Sequence, residues 1–66
     1  MKEYSNISDA LRVYRNQRNL LQKEVAYDLG ISQEYYRKIE TGRKPSINIM
    51  NKIRDKLGIK VYYTIE

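Results

Sequence analysis

Residues 22–40 read QKEVAYDLGISQEYYRKIE. Two short helical patterns meet at Gly30, and a glutamine opens each, Gln22 and Gln33. Val25, Ala26 and Leu29 fall on one face of the first pattern, about 22–29. Gly30 ends it, as a residue that accepts positive φ. Ser32 stands in N-cap position for the second pattern, about 33–40. There Tyr36 and Ile39 turn inward, which leaves Gln33, Glu34, Arg37 and Lys38 outward.

On the N-terminal side, Ile7, Leu11 and Tyr14 recur at i, i+4 and i+7 with Ala10 beside them. This is the apolar stripe of a helix over about 9–18, with Ser8 as its expected cap. Arg12, Arg15 and Arg18 form a basic strip beside it. On the C-terminal side, TGRKPS is a loop, Ser46 caps a fourth helix, and Gly58 stops it. Ile47, Met50, Ile53 and Leu57 give that helix its expected stripe. From Ile59 the period changes to two. Ile59, Val61, Tyr63 and Ile65 alternate with Lys60, Tyr62, Thr64 and Glu66, a strand signal. The expected fold class is mainly α: a compact four-helix domain over 8–58, with a short C-terminal β-strand over 59–66. A lone strand cannot satisfy its own backbone. Val61, Tyr63 and Ile65 are therefore expected at a dimer interface, pairing with a second copy about a two-fold axis; the N-terminal MKEYSNI is the alternative partner within the chain.

Composition narrows the chemistry. The 66 residues make one domain and contain no cysteine and no histidine. Disulfide staples, the usual zinc sites and histidine-based nucleophilic catalysis are excluded. No nucleophile–base pair points to an enzyme, and no cofactor is expected. A domain this size buries only about 60 % of its unfolded surface, so self-association would help it. Thirteen Lys and Arg against eight Asp and Glu give a net charge of +5, which favours an anionic partner. No apolar run reaches membrane-spanning length and no leader pattern opens the chain, so a cytoplasmic, nucleoid-associated protein is expected.

Two short helices joined at a glycine match the helix-turn-helix. Ala26 stands where the helices approach most closely. Val25, Leu29, Ile31, Tyr36 and Ile39 are apolar where the pair must bury itself. In this motif the second helix enters the DNA major groove by its N-terminal residues, and the first crosses the backbone. That puts Gln33 at the base edges, where its amide matches adenine N6 and N7. Gln22 stands at a helix N-terminus suited to a phosphate, from which it could also brace Gln33. Glu34 could accept from cytosine N4. Tyr35, expected to be exposed, could meet a thymine methyl or a phosphate. Arg37 is expected at the groove, and Lys38 at its edge or at a phosphate.

LRVYR, LLQKEVAYDLGIS, YYRKIETGR and PSINIMNKIRDKLGI together resemble the phage repressor and Cro-like helix-turn-helix superfamily, the lambda-repressor-like fold also called the xenobiotic-response-element type. The resemblance covers about residues 11–59. It implies that Gln22 and Gln33 cooperate in binding DNA. It implies an ion pair between Arg15 and Glu40, tying the first helix to the end of the recognition helix. It implies phosphate contacts from Thr41, Arg43 and Lys44 in the following loop, and from the start of the fourth helix near Ser46. Three positions depart from the family's pattern. Leu21 replaces the usual capping residue, at a typical cost of ~1 kcal/mol. Tyr36 replaces an inward aliphatic residue. The tail reads as a strand where a fifth helix is usual.

The expected function is a sequence-specific DNA-binding transcriptional regulator, a repressor acting as a homodimer on a pseudo-palindromic operator. The alternative is an antitoxin or other protein-interaction module, with a toxin or antirepressor as partner and DNA binding for autoregulation. Its β tail would add a strand to that partner.

Overall fold

The computed structural model describes residues 6–59. They form four helices: α1 Ile7–Gln17, α2 Gln22–Leu29, α3 Gln33–Glu40 and α4 Ile47–Leu57. α3 packs on both α1 and α2, and α2 also packs on α4. No strand occurs among the described residues. The alternation over 60–66, with the interface residues Val61, Tyr63 and Ile65, lies outside them. Ile59, at the head of that stretch, is buried with the core. No described helix is long and apolar enough to cross a membrane.

α1 begins earlier than its polar punctuation suggests. Asn6 is the N-cap, and its side chain accepts from the backbone N–H of Ser8 and Asp9. Ser8 is therefore not the cap. It is buried inside the first turn, where its hydroxyl donates to the Ile39 carbonyl at 2.5 Å. A serine beside an asparagine is ambiguous in sequence, because either oxygen can serve the orphan N–H groups. After α1 the chain turns through Asn19, whose φ of 54° lies in the left-handed region that asparagine tolerates.

α2 starts without a side-chain cap, since Leu21 has no acceptor. Glu24 supplies part of what is missing: its carboxylate accepts the Leu21 N–H at 2.7 Å. Gly30 ends the helix at φ 71°, and Ile31 N–H closes back on the Ala26 carbonyl at 3.0 Å. Among the described residues, a Cβ on Gly30 would meet only Lys52 Nζ, at 3.6 Å, so glycine is required here by backbone conformation rather than by crowding.

The core comprises Ile7, Ala10 and Leu11 of α1, Val25, Ala26 and Leu29 of α2, Tyr36 and Ile39 of α3, and Ile49, Ile53 and Leu57 of α4, with Ile59. One position corrects the expected α4 stripe. Ile47 is 78 % exposed, and Ile49 takes the inward place. Ile47 is the first helical residue after Ser46, where the incoming loop sets its direction. Met50 is only half-buried. Pro45 is buried just ahead of the helix.

Candidate nucleic-acid interface

α3 has two unlike sides. Tyr36, Ile39 and Glu40 are buried, whereas Gln33, Glu34, Arg37 and Lys38 are exposed. Ser32 caps the helix by accepting from the Tyr35 N–H at 3.1 Å. The exposed side therefore starts at a well-formed helix N-terminus.

The buried side is bolted to α1 by three residues at i, i+4 and i+7. Ser8 donates to the Ile39 carbonyl, Arg12 Nη1 donates to the Glu40 carbonyl, and Arg15 grips the Glu40 carboxylate. The last contact is bidentate: Arg15 Nε to Oε2 at 2.8 Å and Nη2 to Oε1 at 3.1 Å. Arg15 Nη1 also donates to the Leu20 carbonyl at 3.3 Å, which anchors the turn before α2. Gln22 completes the cluster. Its side-chain amide donates to Glu40 Oε1 at 3.3 Å. An ionised carboxylate only accepts, so this contact sets which end of the Gln22 amide faces Glu40. The hydrogen bond runs to Glu40 rather than to Gln33.

Burial by itself raises the Glu40 pKa. Hydrogen bonds from Arg15 and Gln22, with the Tyr36 hydroxyl dipole nearby, outweigh it, and the carboxyl titrates below its ordinary value. The hydrogen bonds that Arg15 donates to Glu40 hold its guanidinium more firmly protonated. Tyr36 is fully buried, and desolvation raises its phenol pKa well above the ordinary value, with Glu40 adding to the shift. Its hydroxyl lies close enough to Glu40 and Arg15 to feel both, yet it is the buried side-chain polar atom that lacks a hydrogen-bond partner among the described residues. It does not escape the core, and no described residue bonds it there.

On the exposed side, Glu34 is flanked by its own counter-charges. Arg37 Nη2 and Lys38 Nζ each lie 3.9 Å from Glu34 Oε1. These loose pairs, at i, i+3 and i, i+4 about one turn along the helix, soften the anion that Glu34 would otherwise present to phosphates. Tyr35 is half-buried, which corrects the expectation that it is exposed. Its hydroxyl accepts the Ser46 N–H at 3.3 Å, and the Arg43 guanidinium carbon sits 5.4 Å from its ring centroid. Thr41, Arg43, Lys44 and Ser46 are all exposed in the loop or at the start of α4. The Thr41 hydroxyl donates to the Lys38 carbonyl at 2.9 Å, and Ser46 Oγ accepts the Ile49 N–H at 3.3 Å.

Gln33, Glu34, Arg37 and Lys38 thus share one helix face, with the loop basic residues at the end of the same helix. Gln22 and Tyr35 are held by structural contacts beside them. Sequence reasoning missed the roles of Ser8 and Arg12, although their spacing with Arg15 marks a second, polar face of α1.

A model of a helix-turn-helix family, of the Cro/CI type, matches residues 11–63. The chain belongs to this family. The match spans all of α2 and α3 and most of α1, and family membership makes the chain a DNA-binding transcription regulator. Neither the curated proteins nor the solved structures give a match.

Proposed function

We propose that the chain is a repressor that reads a pseudo-palindromic operator as a homodimer, with α3 in the major groove. The observation that carries this reading is the polarity of α3. One side is fixed to α1 by Ser8, Arg12 and Arg15, and the other presents Gln33, Glu34, Arg37 and Lys38 to solvent. A rigid helix with an exposed polar face suits base reading, which needs donors and acceptors held in register.

Within this reading Gln33, Glu34 and Arg37 reach base edges. Gln22, Lys38, Thr41, Arg43, Lys44 and Ser46 meet the backbone. Dimerisation runs through the alternating tail at Val61, Tyr63 and Ile65, and two copies place two recognition helices about one DNA turn apart. Occupancy of the operator then blocks transcription.

The test is fluorescence anisotropy on a selected operator and on a scrambled duplex. Gln33→Ala should lose the preference between them while keeping scrambled-duplex affinity. Equal loss on both would refute base reading by Gln33.

A further inference from the structure

Tyr35 differs from its neighbours on α3. Gln33, Glu34, Arg37 and Lys38 are exposed, while Tyr35 is half-buried and packs against the core. Two of its groups are already engaged. The hydroxyl accepts the backbone N–H of Ser46, the residue that caps α4, and the ring lies under the Arg43 guanidinium. The loop between α3 and α4 is therefore tied at both ends to α3. At the near end, Arg43 N–H and the Thr41 hydroxyl both donate to the Lys38 carbonyl, each at 2.9 Å. At the far end, Ser46 is held by Tyr35.

An exposed arginine has many rotamers, and freezing them on binding costs free energy. A guanidinium already resting on an aromatic face has part of that freedom removed, and its charge stays available at its edge. We propose that Tyr35 is a positioning residue: a platform that presets Arg43 and the front of α4 for an anionic backbone, rather than a reader of bases. The proposal rests on the DNA-binding reading above for its purpose and on the Tyr35–Arg43–Ser46 geometry for its existence.

The experiment is a double-mutant cycle with Tyr35→Leu and Arg43→Ala, measured by anisotropy on a mixed-sequence duplex. Tyr35→Leu should weaken binding about three- to tenfold, equally on every sequence. In the Arg43→Ala background it should cost clearly less, because the part of its action that runs through Arg43 is already gone and only the Ser46 contact remains to be lost. The sequence motif retained from a random pool should be the same for wild type and Tyr35→Leu. Equal loss in both backgrounds, or a changed base in the motif, would overturn the proposal.

Two readouts on the free protein separate this proposal from the functional reading. The Arg43 side-chain resonances should carry a ring-current shift in wild type and in Tyr35→Phe, and lose it in Tyr35→Leu. The Ser46 amide should exchange faster in Tyr35→Phe, which keeps the ring and loses the acceptor. Absence of the shift in wild type overturns the platform whatever the DNA data show. A wild type that carries the shift but binds no duplex overturns the functional reading, and with it the purpose assigned to Tyr35.

Discussion

Replacing Tyr36 by Phe removes one oxygen from the centre of the domain. That oxygen is fully buried and has no hydrogen-bond partner among the described residues. Leaving such a group unsatisfied costs about 1–3 kcal/mol. Deleting it leaves a void the size of one oxygen, which costs about a few tenths of a kcal/mol. The net expectation is stabilisation of about 1–2 kcal/mol. For a domain of this size each kcal/mol moves Tm by roughly 4–8 °C, so Tyr36→Phe should melt clearly higher than wild type. The pH profile adds a second arm. The buried phenol has a pKa raised above that of the unfolded chain, chiefly by desolvation. Its neutral form is favoured in the fold. Stability is therefore intact below about pH 10 and drains above it, as the unfolded state alone ionises. Tyr36→Phe should lose this part of the alkaline decline. The assay is circular-dichroism melting of both proteins from neutral to alkaline pH. A lower Tm for Tyr36→Phe at neutral pH would refute the reasoning, because it would mean that the hydroxyl makes a favourable hydrogen bond to Glu40.

Arg15→Ala should destabilise by about 3 kcal/mol or more, because it strands the Glu40 carboxylate, which is only 4 % exposed; urea titration measures this. The Glu40 carboxyl titrates below its ordinary value, so its contribution is complete above about pH 4.3 and drains as pH falls below it, and Glu40→Gln should flatten that acid limb in a melting series. Gly30→Ala should cost about 1 kcal/mol in chemical denaturation, all of it from φ 71°, since the added Cβ finds room. Lys44→Ala should weaken binding to all duplexes alike and flatten the salt slope by about one unit, measured by anisotropy across a salt series.

The helix-turn-helix was legible because its constraints are local. Val25, Ala26, Leu29, Gly30, Ser32, Tyr36 and Ile39 lie within one short window, and period, cap and turn agree there. The bounds of α2 and α3 followed directly. The edges of α1 and α4 were harder. Asn6 and Ser8 compete for one cap, and Ile47 and Ile49 compete for one inward place. Such choices depend on how the preceding loop enters the helix, which single-residue propensity does not encode. The site was partly legible. The outward face of α3 is the complement of its apolar stripe, so Gln33, Glu34, Arg37 and Lys38 could be read directly. Tyr35 could not, because its burial is set by a loop that folds back from eleven residues away to reach its hydroxyl. Arg12 was hidden for a different reason: side-chain pairing rules point to its i, i+3 partner Asp9, whereas its contact with α3 is a backbone carbonyl.

The central claim is that an outward, polar α3 reads base edges as one half of a symmetric pair. Selection from a random duplex pool at fixed moderate salt, with sequencing of the retained fraction, tests it most directly. The account predicts a two-fold symmetric motif with half-sites about one helical turn apart. Salt-sensitive retention with no enriched sequence would contradict it, since only the electrostatic attraction of a basic surface would then remain.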